Sequence, residues 1–150
     1  MKIDRYEDLE VSTDSLEYKF ISIGPKGEIV KVIQFKSTSV PDIFNLAFGN
    51  QAKNKDIDDL AVDDNKDRNK ILATVVSAIY QFTKQFPENL VFFTGSTNER
   101  TRLYRMAITL NYDELTIDFE IFGILKDIDS FVNIPFQKGV DYFGFLIKRK

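Results

Sequence analysis

Apolar positions along the chain follow two rhythms. Residues 17–23 (EYKFISI) and 29–35 (IVKVIQF) are rich in β-branched and aromatic side chains and flank Gly24-Pro25-Lys26-Gly27-Glu28. Glycine admits positive φ there and proline presets the bend, so the pattern predicts a hairpin. Both alternating faces of each strand carry apolar residues, which predicts a sheet partly covered on both sides, with helices packed on it. The helical rhythm is clearest at Ile71, Leu72, Val75, Val76, Ile79, Phe82 and Phe86, spaced i, i+3 and i+4. It predicts a long helix over 65–85, capped by Asp64 and ended by Pro87.

Residues 39–48 read as a short helix, with Ser39 as N-cap, Pro41 in the first turn and Gly49 as the stop. Residues 50–69 are polar and carry both signs of charge, predicting a solvated loop with a weak turn at 57–62. Strands are expected at 90–94, 116–125, 130–136 and 142–148, and a second, arginine-bearing helix at 97–110. The sum is an α+β fold in which residues 1–150 form a single domain. A mostly antiparallel or mixed sheet carries the long helix and the second helix; strand order does not follow from the pattern.

Composition narrows the chemistry. The 150 residues are 43% hydrophobic and 29% charged, with 14 Phe and 6 Tyr but no Trp, a balance that supports one core. A formal charge of −3 argues against a surface that binds nucleic acid everywhere and leaves room only for a local basic patch. No run of about 18 apolar residues occurs and the first residues lack the order of a secretory signal, so a cytoplasmic protein without a membrane segment is expected. The chain contains neither Cys nor His. That removes disulfides, thiolate nucleophiles, Ser-His-Asp and Cys-His catalysis and the usual zinc sites. Proton transfer would fall to Asp, Glu, Lys or Tyr with shifted pKa values, or to carboxylate-held Mg2+. No cofactor and no resident metal site are expected.

The stretch with most chemical content is residues 91–108, VFFTGSTNERTRLYRMAI, where an apolar strand runs through Gly95-Ser96-Thr97 into a helix with three arginines. Ser96 and Glu99 have the spacing of a capping box, with Gly95 permitting the turn. At about 100° per residue, Leu103, Ala107 and Leu110 share one side, and Arg100 heads that stripe. A charge there must snorkel out or meet a carboxylate or anion. Arg102, Arg105 and Thr109 lie opposite, on a face expected to be solvated. The candidate site for an anion or a partner is therefore Gly95, Ser96, Thr97, Arg100, Arg102 and Arg105, with exposed amides and the helix dipole as further attractions. The stretch is neither a G-x-x-x-x-G-K-[ST] loop nor a G-x-G-x-x-G turn.

Other constellations carry less. Asp56, Asp58, Asp59, Asp63, Asp64 and Asp67 lack the glycine and glutamate spacing of an EF-hand and are diluted by lysines, as in a solvated loop. On a strand, Asp118 and Glu120 would share a face with Thr116, leaving Ile117, Phe119 and Ile121 on the other; such a pair can hold Mg2+, although simple alternation also explains it. Glu17-x-Lys19 is too common a tripeptide to carry weight, and Lys138 and Lys148-Arg149-Lys150 fit solubility and edge protection.

With Gly24-Pro25-Lys26-Gly27 in a hairpin, and Phe93-Thr94-Gly95-Ser96 followed by Arg100-Thr101-Arg102-Leu103-Tyr104, the chain resembles a family of small uncharacterised bacterial proteins, chiefly from Bacteroidota. The resemblance spans nearly the whole length. It implies one domain in a bacterial cytosol and brings no activity, substrate or catalytic residues. The residues favour a non-enzymatic binding or regulatory module that meets a protein or nucleic-acid partner through Gly95 to Arg105. The alternative is a Mg2+-dependent phosphoryl-transfer or nuclease-type enzyme, such as a toxin or defence factor, using Asp118 and Glu120 with Arg100 on phosphate.

Overall fold

The computed structural model describes residues 4–52, 57–58, 65–126 and 130–150. Their elements are β1 (Glu10–Val11), β2 (Glu17–Gly24), β3 (Gly27–Ser37), β4 (Ile43–Gln51), β5 (Ile57–Asp58), α1 (Arg68–Gln85), β6 (Leu90–Phe93), α2 (Asn98–Leu110), α3 (Tyr112–Asp118), β7 (Phe119–Lys126), β8 (Phe131–Pro135) and β9 (Gly144–Arg149). One mixed sheet runs β1-β2-β3-β4-β6-β9-β7-β8, with β5 beside β4. Every pairing is antiparallel except β4 with β6, the two strands that α1 connects. The fold is α+β. None of the described helices is long and apolar enough to cross a membrane.

The β2–β3 hairpin forms as its turn residues require: Gly24 faces Gly27 across Pro25-Lys26, and Gly27 sits at φ +90. Its register places Tyr18, Phe20, Ile33 and Phe35 on one face, joined across β4 by Leu46 and Phe48. All three helices pack on that face. Phe82 of α1 stacks on Phe35 with ring centroids 4.1 Å apart, Tyr104 of α2 meets Phe93 edge-on at 5.3 Å, and Tyr112 of α3 meets Phe136 at 5.8 Å. None of the described helices gives the opposite face the cover expected from its apolar residues. Val32 is buried there, yet Ile21, Ile23 and Val30 are exposed.

Two further expectations are corrected. Residues 39–48 are not a helix: the chain turns through Asp42 at φ +68 and then extends as β4, paired with β3 from Lys31↔Asn50 to Ser37↔Phe44. The apolar set Ile43, Phe44, Leu46, Ala47 and Phe48 fits a helix by spacing. The period of two in Phe44, Leu46 and Phe48 prevails because β3 offers a partner edge. The strand expected over 116–125 begins only at Phe119. Residues 112–118 form α3, where Asp113 and Glu114 complement the helix dipole, Leu115 is buried, and the Thr116 hydroxyl donates to the Tyr112 carbonyl at 2.9 Å.

The long helix begins at Arg68, not Asn65, and Asp67 holds the N-cap position without capping through its side chain. Its carboxylate accepts instead from the Ser22 hydroxyl at 2.6 Å and from Tyr6. Asn65 is buried; its amide nitrogen donates to Ser22 Oγ and to the Gly27 carbonyl, both at 3.0 Å, and its oxygen accepts from the Lys26 amide at 2.7 Å. This network ties the hairpin turn to the start of α1. The expected cap Asp64 and the acidic residues Asp56, Asp59 and Asp63 lie outside the described residues. So does the 57–62 turn, except for β5.

Candidate functional site

The parallel pair organises the candidate region. β6 lies beside β4 only at Ile43↔Leu90 to Asn45↔Phe92, and β5 joins the same side of β4 at Asn50 and Gln51. Between them, among the described residues, no strand flanks Leu46 to Gly49. Where that gap opens the chain leaves β6 at Phe93, passes Gly95 and enters α2, so the start of α2 sits beyond the carboxyl end of β6 and beside the unpaired stretch of β4. In α/β sheets this is a frequent location for ligand crevices.

Gly95 is required by close approach. A Cβ added there would lie 2.3 Å from the Thr101 nitrogen and 2.4 Å from the Arg100 Cβ. The Gly95 amide donates to the Thr101 hydroxyl at 3.0 Å, and that hydroxyl donates to the Thr97 carbonyl at 3.1 Å. Thr97, extended at φ −134 and ψ 166, is the N-cap: its hydroxyl accepts from the Arg100 amide at 3.2 Å. The Ser96–Glu99 capping box is thus replaced by a cap one residue later, which Thr101 reinforces from the next turn. The Gly95 amide is committed to the protein and is not a donor for an oxyanion. Thr97→Ala is expected to lose about 1 kcal/mol in urea denaturation, with Thr97→Ser close to wild type because it keeps the acceptor. Equal losses for both would show that the hydroxyl does not cap.

α2 has two working flanks. On the β4 side, a cavity of about 210 Å³ is lined by Asn45, Ala47, Gly95, Ser96, Arg100 and Tyr104, with Leu46, Phe48 and Thr94. Arg100 is half-buried and, like Ser96 and Tyr104, makes an interaction of its own, so it is not a bare cation at the helix start. The buried stripe that it heads is Tyr104, Ala107 and Ile108. Leu110, expected in that stripe, is 44% exposed.

On the other flank, a second groove of about 210 Å³ lies between α2 and the segment before β9, lined by Asn98, Thr101, Arg102, Arg105, Asp141, Tyr142 and Phe145. Arg102 is exposed. Arg105 is not simply solvated: it pairs with Asp141, and its Nη1 donates to the Val140 carbonyl at 3.2 Å. Five of the six sequence candidates therefore divide between two cavities on opposite sides of one helix, Gly95, Ser96 and Arg100 on one and Arg102 and Arg105 on the other, while Thr97 lines neither. Asp141 and Tyr142 were not legible as members. Tyr142 is held by a short-range packing need: its ring covers Gly123, where a Cβ would come within 2.2 Å of it, and its hydroxyl accepts from the Gln137 amide at 3.0 Å.

The carboxylate pair fares differently. Asp118 is the last residue of α3 and Glu120 is an exposed residue of β7, so the shared strand face with Thr116 does not exist. Asp118 acts on Tyr80: burial first, and then the neighbouring carboxylate, push the Tyr80 hydroxyl up to about 12. Burial raises Tyr18, burial together with Asp67 raises Tyr6, and the Ser12 hydroxyl lowers Asp14. Each of these shifts moves its group away from neutrality, where an acid or base would have to work. Among the described residues no three acidic side chains converge as metal ligands.

The chain belongs to a family of unknown function, DUF6934, which matches residues 2–150. No curated protein and no solved structure matches it.

Proposed function

We propose that this protein is a non-enzymatic binding or regulatory module that meets a macromolecular partner through Gly95 to Arg105 of α2 and its approach. The observation that carries the reading is the groove on the outer flank of α2, where exposed Arg102 and backbone-anchored Arg105 stand over a floor containing Tyr142 and Phe145. Guanidinium groups beside buried aromatic rings combine orientation with desolvation, the pairing that dominates binding energy at protein surfaces. The first turn of α2 is rigidly seated by Gly95, Thr97 and Thr101, so the arginines project from a fixed base.

The double variant Arg102→Glu/Arg105→Glu tests this directly. Immobilised wild type and variant are compared for what each retains from the native cell extract. At least one species held by wild type is expected to drop tenfold or more, equivalent to about 1.4 kcal/mol. The melting temperature should change by only a few degrees, since the Arg105–Asp141 pair, its carboxylate standing in water, contributes at most about 1 kcal/mol. Identical retention by the two proteins removes this surface from consideration.

A further inference from the structure

The ion pair in the outer groove is unequal. The Arg105 side chain is 23% exposed, whereas that of Asp141 is 92% exposed. The Val140 carbonyl gives Arg105 a second acceptor, so the guanidinium direction does not depend on Asp141 alone. Asp141, by contrast, has no other polar contact among the described residues and stands almost wholly in water. Arg102, one turn earlier on α2, forms no ion pair among the described residues and borders the same groove.

We infer that this groove takes the carboxylates of an acidic protein segment, and that Asp141 is an internal stand-in which such a segment displaces from Arg105. The inference rests on the binding-module reading of the same surface. A pair whose carboxylate stands in water is worth no more than about fivefold in a binding constant, so giving up Asp141 costs an incoming carboxylate little. A segment with two acidic side chains can engage Arg102 and Arg105 together, and Asp141 cannot. Arg105 Nη1 already meets a carboxylate oxygen, and Tyr142 and Phe145 supply apolar surface for the segment's chain. Nucleic acid is the weaker fit. Phosphate-backbone affinity grows with the number of phosphates neutralised, and two arginines neutralise few, while Glu99 sits on the exposed first turn of the same helix. The chain's charge of −3 does not exclude an acidic segment, because charges beyond about 8 Å are screened at physiological salt.

Fluorescence anisotropy of a labelled hexaglutamate peptide with the full chain tests the idea. Wild type is expected to bind, and Asp141→Asn to bind about two- to fivefold tighter, the factor that an exposed ion pair supplies. Glu28→Gln removes the same charge at the exposed hairpin turn and should bind like wild type. Arg105→Gln should weaken binding, and adding Asp141→Asn to it should restore nothing. No binding by wild type, no gain from Asp141→Asn, or a gain that persists without Arg105 each overturns the inference; so does tighter binding of a single-stranded dodecathymidylate than of the peptide. If the charge-reversal variant loses its captured species while the peptide ignores Asp141→Asn, the inference falls and the module reading stands. If that variant loses nothing, the module reading itself has failed.

Discussion

Replacing Phe82 by alanine is expected to cost about 3–5 kcal/mol, the range for deleting a buried phenylalanine. Phe82 is completely buried. Its ring lies parallel to Phe35 at 4.1 Å and meets Phe44 at 5.3 Å and Phe86 at 5.2 Å, so one side chain joins β3, β4 and both ends of the last turn of α1. Close-packed surroundings cannot collapse fully into the space an aromatic ring leaves, and the residual void adds to the lost transfer energy. Domains of this size hold about 5–15 kcal/mol in all, so the loss should move the urea midpoint by a large fraction of its value while leaving the slope unchanged. A loss below about 1.5 kcal/mol would mean that the aromatic cluster repacks freely and that α1 is anchored elsewhere.

Gly95→Ala should rank next, at about 1–3 kcal/mol, the usual range for overpacking a filled site. The obstacle is backbone, not a flexible side-chain tip: the new methyl would collide with the Thr101 nitrogen and the Arg100 carbonyl carbon at 2.3 and 2.6 Å. α2 can relieve this only by lifting its first turn, which breaks the Gly95–Thr101–Thr97 relay and swings Arg102 and Arg105. Peptide binding in the outer groove should therefore weaken together with stability, and by more than in Thr97→Ala, which loses one cap bond and leaves the packing at Gly95 intact. Wild-type stability in Gly95→Ala would show that the first turn does not rest on this residue.

Much of the fold was legible because local chemistry and tertiary partners agree. The β2–β3 hairpin, the body of α1 and the existence of α2 follow from turn glycines, a seven-residue apolar stripe and a Gly-Ser-Thr approach, whereas the start of α1 at Arg68 and the cap of α2 at Thr97 do not. Where sequence and structure part, the deciding partner is distant in the chain. β4 is a strand because β3 lies ready to pair with Phe44, Leu46 and Phe48, and nothing within residues 39–49 reveals that. α3 is a helix although Thr116 and Ile117 are β-branched: Leu115 turns inward while Ile117 is left 73% exposed. The cap moved from Ser96 to Thr97 because Thr101 supplies a second hydroxyl, a relay that single-residue capping rules omit. The three arginines of the site could be located by spacing. Asp141 could not, since 36 residues separate it from Arg105 and its own neighbours give no periodic signal.

The position of β9 carries a consequence for how the chain reaches this state. Although last in sequence of the nine strands among the described residues, it lies between β6 and β7 and is paired along both sides, Ile147 facing Val91 on one and Ile121 on the other. β1 to β4 can zip up as successive neighbours while still emerging from the ribosome. β6 and β7 have no bond to each other, and the backbone edge that each turns toward β9 stays open until residues 144–149 lie between them. Non-local closure of that sort is slow and leaves aggregation-prone edges in the interim. The half of the molecule that bears α2 and its arginines is thus the half whose assembly is completed last.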